Sequence, residues 1–321
     1  MTRPSAVPPP VTAVLDASSR WLPARLGEVE DLLREQSGGF GELLASDARA
    51  TLDAGGKRLR PLLVLLCAGA EGGGQAVRAA TAIELVHMAT LVHDDVLDEA
   101  PLRRGIPTVL ANSGAPRAVA VGDLLFSRAF ALLAGHRDAK PIALLAAASV
   151  ALAEGELAQR QDAFNTEIAE QRYMDRCRLK TAALFRCACL MGGGEAALGA
   201  FGAEIGLAFQ LLDDVLDVSG PPERTGKARG TDLLDGTVTL PLILAAATDP
   251  SLRGVDLRQL DPAAAERLCD RIAATGALGT VRSRALELVT AAKATLASGG
   301  FDAEQRQLLG LVADGVVQRY S

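Results

Sequence analysis

The sequence predicts an all-α single-domain bundle, and three observations carry that expectation. Hydrophobic residues make up 49% of the 321-residue chain while aromatic residues make up only 3%. The apolar content is mostly Ala and Leu, which favour helices packed on helices over β-branched sheet. Apolar positions recur at helical spacing nearly throughout, broken by Gly and Pro at regular intervals.

Residues 1–12 open with MTRPSAVPPP, too Pro-rich for a packed element, and are expected to be disordered. The domain proper is placed at 13–321. Helices are expected at about 13–36 and 41–53, separated by Ser37-Gly38-Gly39. Gly55-Gly56 ends the second, and Pro61 opens a buried helix to about Ala70. After a loop at Glu71–Gly74 a long helix covers about 76–98, stopped by Pro101. A turn is expected near Asn112–Ala115, then helices at about 116–134, 140–164, 168–190 and 196–217. A Gly/Pro-rich loop at 219–232 carries Lys227 and Arg229 and reads as a lid. Four further helices are expected at about 238–248, 262–275, 278–298 and 302–319. Asp261-Pro262 and Asp302 with Gln305 mark two of their starts.

The net charge of −6 argues against a nucleic-acid surface. Five cysteines without a CxxC pair fit a reducing, cytoplasmic setting. Three scattered histidines are too few for a zinc cluster. No signal peptide is legible, and the longest apolar run, Ile142 to Ala153, is shorter than the ~20 residues that span a bilayer. A soluble protein without a transmembrane segment is expected.

The chemistry concentrates in one string that occurs twice. HDDVLDE places Asp94, Asp95 and Asp98 at the end of the long helix, with Asp94 and Asp98 one turn apart and His87 two turns earlier on the same face. FQLLDDVLD repeats the pattern with Asp213, Asp214 and Asp217, and Gln210 shares their face. Clustered carboxylates repel, so a positive ion is expected between them. All-oxygen ligation with room for water and phosphate describes magnesium. Basic clusters accompany the acidic ones: Lys57, Arg58 and Arg60 in GGKRLRP, Arg103 and Arg104 beyond the first string, and Lys180 with Thr181 in RLKTAALF. Each is open to a local reading, as a helix cap or surface ion pair, or to a diphosphate clamp. Asp123 and the GELAQ string at 155–159 are read first as satisfied core polar groups. Metals with Lys and Arg suit a diphosphate, and an apolar helical interior suits a hydrocarbon tail.

In combination, GGKRLRP, HMATLVHDDVLDEAPLRRG, GELAQ, KTAALF, FQLLDDVLD, GKARGTDL and TLP make the chain resemble a trans-isoprenyl (polyprenyl) diphosphate synthase over nearly its whole length. The resemblance implies the isoprenoid synthase bundle with a central apolar cavity, a homodimer, and three Mg²⁺ ions on an allylic diphosphate that is condensed head-to-tail with isopentenyl diphosphate. It assigns Asp94, Asp98 and Asp213 as primary metal ligands, with Asp217, Asp95 and Asp214 in support. Lys57, Arg60, His87 and Arg104 fall to the isopentenyl diphosphate site, with Arg319 a further basic residue near it. Arg103, Lys180, Thr181, Gln210 and Lys227 fall to the allylic site, and Phe209 is a candidate to face the cation. Thr237 stands where many relatives have Lys. The residues that set tail depth are Ala89 and Thr90, with Val86 a turn deeper, and their small size implies a product of thirty carbons or longer. The alternatives are a farnesyl- or geranylgeranyl-length product, a class I terpene cyclase, a metal-dependent phosphohydrolase and a non-catalytic partner subunit.

Overall fold

The computed structural model describes residues 9–38, 41–135, 138–220 and 229–318. Lys227 and Arg319 therefore lie outside the described residues, as does most of the expected lid. The described chain is helical apart from one two-residue hairpin.

Helix α1 (Pro9–Ala17) begins inside the segment expected to be disordered, and α2 (Leu22–Gln36) follows after a break that the sequence reading ran through. The break has a cause in Pro23, which sits in the first turn of α2 where its missing N–H costs nothing. Next come α3 (Glu42–Asp53), α4 (Leu59–Ala68), a 3₁₀ turn, and α5 (Gly73–Leu97). Fourteen of the 25 residues of α5 are buried, spread round its circumference, which makes it the central helix rather than an amphipathic one.

The stop at Pro101 leads into a hairpin of β1 (Leu102–Arg103) and β2 (Ile106–Pro107) and then α6 (Val109–Ser113), neither of which was expected. Arg104 (φ 53) and Gly105 (φ 76) at the hairpin tip are both left-handed, as a tight two-residue hairpin turn requires. Thr108 caps α6 by accepting from Ala111 N at 3.1 Å. Helices α7 (Ala115–Ala134) and α8 (Lys140–Asp162) match expectation.

The expected helix over 168–190 is α9 (Glu170–Cys177) and α10 (Ala183–Gly193), joined by a π-helical turn at Arg178–Ala182. Helix α11 (Ala196–Ser219) carries the second acidic string, and a short α12 (Thr231–Leu234) follows it. The remainder is α13 (Leu240–Thr248), α14 (Pro262–Ala274), α15 (Ala277–Ser298) and α16 (Ala303–Gln318). Asp261 caps α14 by accepting from Ala264 N, and Asp302 accepts from Gln305 N. The Gln305 side chain reaches across to the last carbonyls of α4, Leu66 O and Cys67 O.

Helices α4, α5, α10, α11 and α15 bury most of the core, which draws on Leu62–Leu66, Ile83, Leu85, Phe185, Phe201 and Leu211. Full burial of each such side chain contributes about 1.5–3 kcal/mol. Glycine permits a close seam: a Cβ at Gly202 would lie 2.6 Å from Phe185 O, and one at Gly206 2.9 Å from Ala182 Cα. Thus α11 packs directly on the backbone of α10 and of the π turn. All five cysteines are free and buried. Helices α8 and α11 are long and apolar enough to cross a membrane by length and composition, but α11 is largely interior to the bundle.

Candidate active site

Helices α5, α8 and α11 bring their C-terminal ends to a common mouth, and the π turn lies between them. Lys180 Nζ donates to Glu156 Oε2 of α8 at 2.5 Å. The adjacent Thr181 Oγ1 donates to Gln210 Oε1 of α11 at 2.7 Å. In an α-helix neighbouring residues point about 100° apart, and a π turn is a known device for re-aiming side chains at functional sites. Two consecutive residues here serve α8 and α11 at once.

The first acidic string is crowded and only partly neutralised. Burial pushes the Asp94 carboxyl up to about 6, against the pull of Lys180; Glu156 and Asp98 add to the rise and Arg103 opposes it. Asp95 is turned inward, where Arg103 Nη2 contacts its Oδ1 at 2.7 Å. Asp98 lies at the rim and accepts from Arg160 Nη2 at 2.5 Å, and Arg160 Nε donates to Glu156 Oε1 at 2.8 Å. Glu156 is therefore a hub of the site and not the core polar group that GELAQ suggested. Its neighbour Gly155 makes this possible, since a Cβ there would stand 2.6 Å from Lys180 N and 2.9 Å from Lys180 Cα. A glycine inside a long helix is the signal that could have revealed the close approach. Asp123, by contrast, pairs with His93 at 3.6 Å.

The second string is tied into a buried hydrogen-bond chain. Asp214, 2% exposed, accepts from Tyr173 OH at 2.5 Å and from Gln210 Nε2 at 2.8 Å. Burial raises its carboxyl to about 8, with Asp232 and Asp213 contributing and the two hydrogen bonds opposing. Asp217 accepts from Asp232 N at 3.3 Å and its carbonyl from Gly230 N at 3.0 Å. This closes the returning segment onto α11. The segment is held further on by Arg176 donating to Val238 O and by Phe164 N donating to Gly236 O. Thr237 N donates to Asp232 O at 2.7 Å, so that position is backbone-anchored.

A basic cluster stands beside both strings. Burial, then Arg60, Arg104, Arg103 and Arg58, hold the His87 imidazole well below its usual range. Those four guanidinium groups thus converge from α4, its preceding loop and the hairpin. Arg58 is not free for a ligand: it pairs with Glu30 at 2.5 Å and with the buried Glu84 of α5 at 2.9 Å. Arg104 donates to Gly55 O, closing the hairpin tip onto the Gly55-Gly56 loop that carries exposed Lys57. Arg58 (φ 47) and Arg104 hold left-handed backbone, a conformation that costs a non-glycine residue of order 1 kcal/mol and clusters at functional sites. Arg60 sits over the Phe185 ring at 4.7 Å, and its buried Nε has no hydrogen-bond partner. Burial lowers its pKa to about 10 although Glu84 and Asp213 counter it. A desolvated, under-partnered guanidinium is a ready receptor for a diphosphate oxygen. Phe209 packs on Phe185 with ring centroids 5.6 Å apart.

Among the described residues no three carboxylates stand close enough together to hold one ion between them. The chemistry of the donor set still suits a hard divalent cation, since Asp94 and Asp98 offer carboxylate oxygens one helical turn apart. Of the tail-depth residues, Ala89 and Val86 are fully buried on α5, and Thr90 Oγ1 donates to His87 O at 2.8 Å. At the opposite end of α5 a cavity of about 340 Å³ is lined by Ala68, Gly72, Ala76, Leu144, Leu190 and Met191, with Lys140 and Glu71 among its polar wall.

Comparison with known proteins agrees with this arrangement. The octaprenyl diphosphate synthase of Haemophilus influenzae is 42% identical over 204 residues, 60% of this chain and 62% of that protein, so the match spans less than two thirds of it. The geranylgeranyl pyrophosphate synthase of Geoglobus acetivorans is 36% identical over 308 residues, 91% of this chain and 95% of that protein. Among solved structures, the polyprenyl synthase of Caulobacter crescentus, determined with calcium and isoprenyl diphosphate, superposes with a TM-score of 0.89 at 34% identity, covering 99% of this chain and 100% of that one. Residues 42–267 match the polyprenyl synthetase family. With paired acidic helix ends, a convergent basic cluster and an all-α bundle superposable on such an enzyme, the chain belongs to that family.

Proposed function

We propose that the chain is a Mg²⁺-dependent trans-prenyltransferase that condenses isopentenyl diphosphate head-to-tail with an allylic diphosphate. The observation that carries this reading is the π turn, whose consecutive Lys180 and Thr181 reach Glu156 of α8, tied through Arg160 to Asp98 of the first string, and Gln210 beside the second. Lys57, Arg60, His87 and Arg104 hold the isopentenyl diphosphate, with neutral His87 donating one ring N–H. Arg103, Lys180, Thr181 and Gln210 hold the allylic diphosphate. Asp94, Asp98, Asp213 and Asp217 would hold the three Mg²⁺ ions, which when bound would neutralise the charge that develops on the departing diphosphate. The allylic C–O bond breaks with its electron pair leaving on the diphosphate. The isopentenyl double bond then attacks the allylic carbon, and the proton lost from the new chain passes to the released diphosphate. The basic side chains fix both heads so that the reacting carbons meet.

The product is assigned a length of thirty carbons or more. Small residues at Ala89, Thr90 and Val86 support it. The names of the relatives span geranylgeranyl to octaprenyl, so the shorter product is the second reading. A homodimer is assigned to the face of α7 and α8, where Val119, Val150 (58% exposed) and Leu157 (63% exposed) stand outward. The five free thiols fit a reducing compartment, the cytoplasm.

The test is incubation with Mg²⁺, labelled isopentenyl diphosphate and allylic primers of several lengths, with chromatography of the products. All-trans polyprenyl diphosphate of thirty carbons or more is expected, and the Ala89→Phe/Thr90→Phe double variant should give shorter chains. Cyclic hydrocarbon would indicate a cyclase, free phosphate alone a hydrolase, and binding without turnover a partner subunit. An unchanged length in the double variant would remove the tail-depth assignment.

A further inference from the structure

The site contains a cation that neither the acidic strings nor the diphosphate clamps account for. Arg160 lies in the last turn of α8, 40% exposed at its side chain, and its guanidinium bridges two carboxylates of the first acidic cluster. Nη2 contacts Asp98 Oδ1 at 2.5 Å and Nε contacts Glu156 Oε1 at 2.8 Å. Lys180 occupies the other oxygen of Glu156 at 2.5 Å. Asp94, one turn before Asp98 on the same helix, makes no ion pair of its own among the described residues. One of the two spaced carboxylates on α5 is thus engaged by an internal cation at the place where a divalent ion would bind.

We propose that Arg160 is a built-in counter-ion for the first acidic string, and that its release couples metal entry to the arrival of diphosphate. The inference rests on the metal-dependent reading above. A divalent ion approaching Asp98 alone must displace Arg160 and leave a guanidinium beside its own charge. A diphosphate arriving with the metal gives the freed guanidinium a new anionic partner, because Arg160 is exposed, long and only one helical turn from Glu156. The two ligands therefore bind better together than separately, and Arg160 contributes part of that mutual gain. It is a positioning residue, acting through Asp98 and Glu156.

Calorimetric titration of the full chain with MgCl₂, alone and with inorganic diphosphate, tests this in the wild type, Arg160→Gln and Arg160→Lys. Without diphosphate, Arg160→Gln should bind Mg²⁺ ~3- to 10-fold more tightly, the scale expected from removing one solvent-screened charge next to the site. The factor by which inorganic diphosphate strengthens Mg²⁺ binding should shrink in Arg160→Gln and persist in Arg160→Lys. A side chain that merely braces α8 would not tighten metal binding when removed. Unchanged or weaker Mg²⁺ affinity in Arg160→Gln, or an unchanged diphosphate factor, overturns the inference while leaving the metal reading intact. Absence of Mg²⁺ binding by the wild type, even with diphosphate, overturns both.

Discussion

At the scale of single residues, His87 is the group whose charge state the surroundings decide. Burial and four nearby guanidinium groups keep it neutral where a free imidazole would begin to protonate. Below about pH 6.5 the unfolded chain takes up that proton and the folded chain does not. The unfolded state then binds more protons, so this residue makes stability fall as pH falls. Asp94 and Asp214 act in the opposite sense, their raised carboxyls favouring the folded state on the acid side. Comparing His87→Asn with the wild type isolates the imidazole: the variant should lose less of its melting temperature between pH 6.5 and pH 5. Parallel melting curves would show that His87 is not held neutral by the fold. The sequence marked His87 through its spacing from Asp94, Arg60 through the basic string that precedes Pro61, and Lys180 as a charge interrupting an apolar helix. It did not mark Arg160 or Tyr173, because an exposed Arg at a helix end and a lone Tyr have ordinary uses that composition cannot separate from these.

At the scale of elements, the helices and most of their ends were legible, since caps such as Asp261 and Asp302 and the glycine breaks are local chemistry. The π turn was not. Its residues, Arg178–Ala182, are ordinary helix formers, and the extra residue is retained because α8 and α11 both press on that turn. The hairpin at Leu102–Pro107 was hidden for a related reason. Its tip needs two left-handed residues, and one of them is Arg104, whose backbone strain is offset by its contact with Gly55 O. Gly155 gives the element-scale prediction. Gly155→Ala gains intrinsic helix propensity of about 1 kcal/mol, yet its Cβ would meet Lys180 backbone atoms at 2.6 and 2.9 Å. Backbone cannot rotate aside as a side chain can. The net outcome expected is a loss of about 1–3 kcal/mol, read by chemical denaturation, together with a fall in turnover as Lys180 shifts from Glu156. A variant of wild-type stability and turnover would mean that α8 does not need this approach.

At the scale of the whole molecule, the all-α bundle followed from composition and periodicity, but the outward apolar face of α7 and α8, to which the proposed homodimer is assigned, is legible in no single helix. Replacing Val150 with Glu and Leu157 with Lys should turn a dimer into a helical monomer in sedimentation experiments; a variant that remains dimeric would move the interface elsewhere. The bundle also directs the C-terminal ends of α5, α8 and α11 at one opening. Each such end carries roughly half a negative charge from its aligned peptide dipoles; α5 and α11 add carboxylates to theirs without a basic residue in the last turn, and only α8 sets an Arg, Arg160, in its own. On the metal-dependent reading, a small hard cation would offset that excess of negative charge at the mouth. Magnesium chloride should therefore raise its melting temperature by more than an equal ionic strength of sodium chloride does, with the increment growing as the logarithm of magnesium concentration.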